Sequence, residues 1–145
     1  KCPTGIRGEA NTYGIVDAMI GAITSLVNQS GVPRRVFVKK RSRVKRPGER
    51  LVYVDEGKTS TQSYTIHYDR PSWWDGVPLR HGEGTNFSFA DGHAEYWKWT
   101  DSRTIRFARQ EGDWASYRNA PGNLDIQRVQ RGAWGELGYT PTTGN

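Results

Sequence analysis

The chain has one cysteine and one methionine in 145 residues, and only 34% of its residues are hydrophobic. A single thiol, Cys2, cannot close an internal disulfide, so no cross-linked framework holds this chain together. No run of 18 apolar residues occurs, which excludes a membrane-spanning helix within these residues. No basic start leads into an apolar stretch, so no secretory signal is expected here. A nucleophile elbow, a phosphate-binding glycine loop, zinc-ligand spacing and a recognisable pair of carboxylates are all missing, and catalysis is not expected.

What is present argues for a folded, turn-rich domain. Glycine (17), tryptophan (6) and tyrosine (7) are abundant. The mean hydropathy of −0.80 is low enough for disorder, but a total of 17 aromatic residues implies a core that buries them. The length suits one domain covering residues 1–145. Charge is unevenly placed. Residues 34–50 hold nine of the 21 basic residues and one acid, a local balance of +8, and the other 128 residues sum to −2. The centre of this run comprises Lys39, Lys40, Arg41, Arg43, Lys45 and Arg46. It reads as a solvated loop or charged edge, or as a contact for an acidic subunit or polyanion. No aromatic residues interleave with it, so nucleic acid is not the expected partner.

Residues 50–55 predict a strand, and the continuous apolar residues within it, 51–54, suggest burial on both faces and a central position. Residues 63–68 alternate and predict a second strand. Residues 85–90 and 93–99 flank Asp91-Gly92, which predicts a hairpin with a two-residue turn. That turn would pair Phe89 with Ala94 and Phe87 with Tyr96, placing these four in the core and turning Trp97 and Trp99 outward. An exposed aromatic face of Trp73, Trp74, Trp97 and Trp99 would then suit a sugar ring or a subunit interface. The plainer alternative is that residues 104–134 fold over it. Residues 15–23 are ambiguous between a short helix and an irregular buried crossing. Residues 104–110 suggest a helical turn or two, and residues 124–134 a helix capped by Asn123 and ended near Gly135. The match Asn86-Phe-Ser88 to a glycosylation sequon is discounted because it falls in a predicted paired strand.

His81, nine intervening residues and then Asp91-Gly92, with a glycine-rich turn, an apolar strand and His93, make a specific order. It resembles the C-terminal H-x9-DG domain of prepilin-like proteins, a family of bacterial pseudopilins numerous in planctomycetes. Val44-Lys-Arg-Pro47, the strand end Val54-Asp55-Glu56, the continuation from Trp97 to Thr104 and the opening Cys2-Pro3 are similar to the family as well. The resemblance covers most of residues 1–104 and, more weakly, 123–134. It implies an α+β fold: a pilin-like globular head with an antiparallel sheet of about four strands and short flanking helices. The hairpin region would span 80–104 and a helical extension 104–135.

Family members carry a leader and a long apolar helix that anchors them in the inner membrane and later packs in the filament core. Neither lies within these residues, so a head domain is expected whose helix was omitted or sits on a separate chain. The implied role is a non-catalytic structural subunit of a type IV pilus-like filament or type II secretion pseudopilus, outside the cytoplasm. Its partners would be other pilin-like subunits, held by charge complementarity between the basic segment and the acidic remainder. The alternative is an extracellular module that binds carbohydrate or a surface polymer through its tryptophans. His81, Asp91, His93 and Asp55 could together hold a divalent cation such as calcium, with His67 or Asp69 nearby. A structural role for His81, Asp91 and Gly92 is preferred, because the turn and the strand beside it already account for Asp91 and His93.

Overall fold

A computed structural model describes residues 12–20, 31–56, 63–109 and 118–142. The fold is α+β. Strands β1 (Tyr13–Val16), β2 (Leu51–Asp55), β3 (Ser63–Tyr64), β5 (Gly84–Phe89) and β6 (Ala94–Lys98) form one sheet in the order β3-β1-β2-β5-β6. β4 (Ser72–Trp73) and β7 (Arg118–Asn119) pair separately. Among the described residues three α-helices accompany them: α1 (Asp17–Ile20), α2 (Ser102–Arg109) and α3 (Leu124–Trp134). Among the described residues no helix is long and apolar enough to cross a membrane.

The expected antiparallel sheet is in fact mixed, because β1 pairs antiparallel with β2 but parallel with β3. Of residues 15–23, expected as a short helix or an irregular crossing, Ile15 and Val16 belong to strand β1 and a helix begins at Asp17; residues 21–23 lie outside the described residues. The strand expected over 63–68 stops at Tyr64; the chain then turns, and Ile66 bridges to Trp73 instead. β2 is central, as its apolar run predicts, but it is not buried on both faces. A bulge between Leu51 and Tyr53 turns Tyr53 outward, where it is 47% exposed.

The largest difference lies in the hairpin. Phe89 N–H donates to His93 O, and Gly92 N–H donates to Phe89 O. The loop is therefore three residues, Ala90, Asp91 and Gly92, with Gly92 at φ 102°. This is a type I turn followed by a glycine bulge, which needs positive φ at one position rather than two. The added residue shifts the register by one: Ser88 faces Ala94, Phe87 faces Glu95 and Asn86 faces Tyr96. A one-residue slip reverses every side chain of β6. Trp97 and Trp99 point into the core, and Tyr96 points out, 46% exposed.

That core joins the inner sheet face (Val16, Leu51, Val54, Phe87, Phe89, Trp97) to α3 and to Phe37, Tyr68 and Trp73. On α3, Ile126, Val129 and Ala133 recur at helical spacing and are buried. The helix begins at Asn123, whose side chain accepts from Ile126 N–H at 3.1 Å, and ends at Gly135, φ 84°. Its inner polar residue, Gln130, donates to His67 O and Arg70 O, so the turn after β3 is held against the helix.

Candidate functional site

The residues of the H-x9-DG segment act as fasteners for the sheet. His81 Nε2 lies 2.9 Å from Asp55 Oδ2, where the Asp55 carboxylate, 1% exposed, ends β2. Thr85 Oγ1 donates to Asp55 O, and Arg80 Nε donates to Glu56 O, so the loop before β5 is tied to the end of β2. At the opposite end of β5, Asp91 Oδ1 accepts from His93 N–H at 3.1 Å and lies 2.6 Å from His93 Nδ1. The imidazole stacks on Phe89 with ring centroids 4.3 Å apart. The hydrogen bond between them lowers the Asp91 pKa and raises that of His93.

The cation cluster expected of His81, Asp91, His93 and Asp55 is not assembled. It resolves into two pairs, His81–Asp55 and His93–Asp91, at opposite ends of the β2–β5 ladder, about 17 Å of extended chain apart. His67 and Asp69 form a third, separate contact at 3.9 Å. Among the described residues no three His, Cys, Asp or Glu side chains converge as a metal site would require.

The tryptophan face is likewise corrected. Trp73, Trp97 and Trp99 are buried and pack with Phe87: ring centroids are 4.6 Å apart for Phe87–Trp97 and 5.8 Å for Trp73–Trp99. Trp74 is half-buried and lies 4.8 Å from the His67 ring. The residue that does face out beside them, Tyr96, was assigned to the core on the shorter turn. The lysine at 98, on the same face as Tyr96, was the signal for the true orientation.

The basic segment does form a site. Residues 34–50 run as three 3-10 turns, Arg34–Val36, Arg41–Arg43 and Pro47–Glu49, with Lys39, Lys40, Arg41, Arg43, Lys45 and Arg46 all exposed. Arg46 adopts φ 49°, the one positive φ outside glycine among the described residues. The turns wall an open cleft of about 1280 Å³ against the hairpin and the last turns of α3. Of the segment's cations, Arg34, Arg35, Lys39, Arg43, Lys45, Arg46 and Arg50 line it, whereas Lys40 and Arg41 do not. Arg128 and Arg131 of α3 complete it, residues that inspection of the basic run alone could not supply.

Nine cations thus meet three carboxylates, each of which already faces one arginine. Glu136 lies 2.6 Å from Arg35, Glu49 lies 3.0 Å from Arg46, and Glu95 lies 3.7 Å from Arg128. The Arg128 guanidinium also covers the Trp97 ring at 3.7 Å. Arg50, only 8% exposed, donates to Gly132 O and Ala133 O, the carbonyl end of α3. Burial, and then neighbouring Arg46, lower its pKa. No carboxylate among the described residues lies in ion-pair reach of Arg34, Lys39, Arg43, Lys45, Arg50 or Arg131.

Among the described residues, the acidic groups expected to complement this segment on a neighbouring subunit are already engaged within the chain. The described residues contain twelve carboxylates, and each has a partner of its own. Asp69 pairs with Arg70, Glu83 with Arg109, and Asp101 with Arg103. Asp125 accepts from Thr100 and Asp101 N–H groups, and Asp17 and Asp75 both bond Thr65. The chain matches no family model, no curated protein and no solved structure.

Proposed function

We propose that the chain is the globular head of a pilin-like filament subunit, a non-catalytic structural element that works outside the cytoplasm. One observation carries this reading. The polar side chains of the His81–His93 segment are turned to architecture: one pair pins the end of β2, the other fixes the hairpin turn, and both lie at the ends of the same ladder. A motif whose groups hold strand ends together suits a load-bearing head better than a site of bond-making. Calcium is not required by this arrangement, and pilin-like subunits remain the proposed partners. The reading of a sugar platform built on Trp73, Trp74, Trp97 and Trp99 loses its support, since three of the four are inside.

Electron microscopy of the native material, with mass spectrometry of the polypeptides in it, tests the proposal. The expected result is a regular filament that contains this chain together with an apolar helix on the same or a second polypeptide. A monodisperse particle with no such helix would overturn it.

A further inference from the structure

We propose that the cleft between residues 34–50 and α3 binds a linear acidic polysaccharide, a sugar chain carrying carboxylate or sulfate groups. Its cavity of about 1280 Å³ exceeds the roughly 300–1,000 Å³ of a small-molecule site, which favours a polymer segment. Five of its nine cations, Arg34, Lys39, Arg43, Lys45 and Arg131, meet no carboxylate among the described residues, so the cleft has unmatched positive charge even with Arg50 held on the α3 carbonyls near Glu136. Seven of the nine are arginines, whose planar forks suit oxyanions such as carboxylate and sulfate.

Two other occupants fit less well. A second copy of this chain would have to offer acidic groups, and the carboxylates of the described residues are already engaged within it. Single-stranded nucleic acid would need open rings for its bases. The rings at the cleft, Phe37, Phe89, Trp97 and Trp134, are all buried, and Arg128 covers Trp97. The choice of a glycan over an acidic peptide rests on the extracytoplasmic reading proposed above, where such polymers are the extended anions a filament head meets.

The test measures binding of the purified chain, by calorimetry at low salt, to polygalacturonate, dextran sulfate, neutral dextran, poly-glutamate and a DNA duplex. Two double variants carry the same charge change: Arg43→Glu with Lys45→Glu in the cleft, and Lys98→Glu with Arg106→Glu away from it. All four side chains are solvent-facing, and a circular-dichroism melt checks that each variant folds.

We expect one or both acidic polysaccharides to bind and neutral dextran not to bind. The cleft variant should weaken binding about tenfold and the remote one less than about threefold. Preference for polygalacturonate would identify carboxylate as the recognised group, and preference for dextran sulfate would identify sulfate. Absence of binding to both, equal weakening by the two variants, or tighter binding of poly-glutamate or DNA would each overturn the proposal. The measurement needs no filament, so it separates failure of this inference from failure of the filament reading.

Discussion

His67 is a residue whose environment changes its chemistry. It is buried against Trp74, and burial, reinforced by the charge of Arg70 and opposed by Asp69, lowers its pKa to about 4 from an ordinary 6.5. Above pH 6.5 neither the folded nor the unfolded chain binds this proton, and the contribution to stability is fully present. Between 6.5 and 4 the unfolded chain takes up the proton and the folded chain does not, so stability falls, and it levels off below 4. The loss is on the order of 3 kcal/mol at this one group. His67→Phe keeps a ring against Trp74 and removes the titration. Urea unfolding at intervals from pH 7.5 to 4 should show the variant losing less stability than the parent, and parallel curves would exclude the assignment. His81 makes a simpler prediction. Its loss leaves the buried Asp55 carboxylate without that donor, so His81→Ala should cost about 1–3 kcal/mol, and His81→Gln should recover part of it. Chemical denaturation at pH 7.5 measures both.

At the scale of elements, the contact between α3 and β2 and the turn between β5 and β6 decide the packing. A Cβ at Gly132 would lie 2.6 Å from Leu51 Cγ, closer than side chains approach, so helix and strand touch because this position is bare. Gly132→Ala should destabilise by about 1–3 kcal/mol through overpacking, measured as a lower urea midpoint with an unchanged slope. The same helix was legible in advance: Asn123, the apolar spacing from Leu124 to Trp134, and Gly135 gave both ends. β2 and the existence of the hairpin were legible for a similar reason, since each signal is local. Its register was not. Asp91-Gly92 fits either a two-residue or a three-residue loop, and the bond from Gly92 N–H to Phe89 O, which selects the longer one, leaves no mark on residue identity. Tyr96 and Trp97 are both large aromatics, so β6 offered two plausible inner faces; Lys98 marked the face of Tyr96 as outer, while Glu95, on the face of Trp97, pointed the other way. β1 was hidden because its partners, β2 and β3, are distant in the chain, and its four residues carry a glycine.

For the molecule as a whole, the decisive feature is where its charge is gathered. The basic run was legible as a run, but its meeting with Arg128 and Arg131 depends on the chain crossing the sheet and returning as α3, which no local pattern records. Folding brings nine cations to one cleft and compensates three of them directly. The remaining like charges repel one another more in the folded state than in an expanded chain, so the cleft lowers stability at low ionic strength. Salt shortens the Debye length to about 10 Å at 0.1 M and weakens that repulsion, while the buried pairs that hold the sheet are screened much less. Raising sodium chloride from about 10 mM to 200 mM should therefore raise the melting temperature by roughly 2–5 °C, the opposite of a fold held by surface ion pairs. In the variant Arg43→Glu with Lys45→Glu the rise should shrink, because the repulsion has been removed at its source. A melting temperature that falls with salt in the parent would show that attraction, not repulsion, dominates the surface, and that the cations of the cleft find partners beyond those described here.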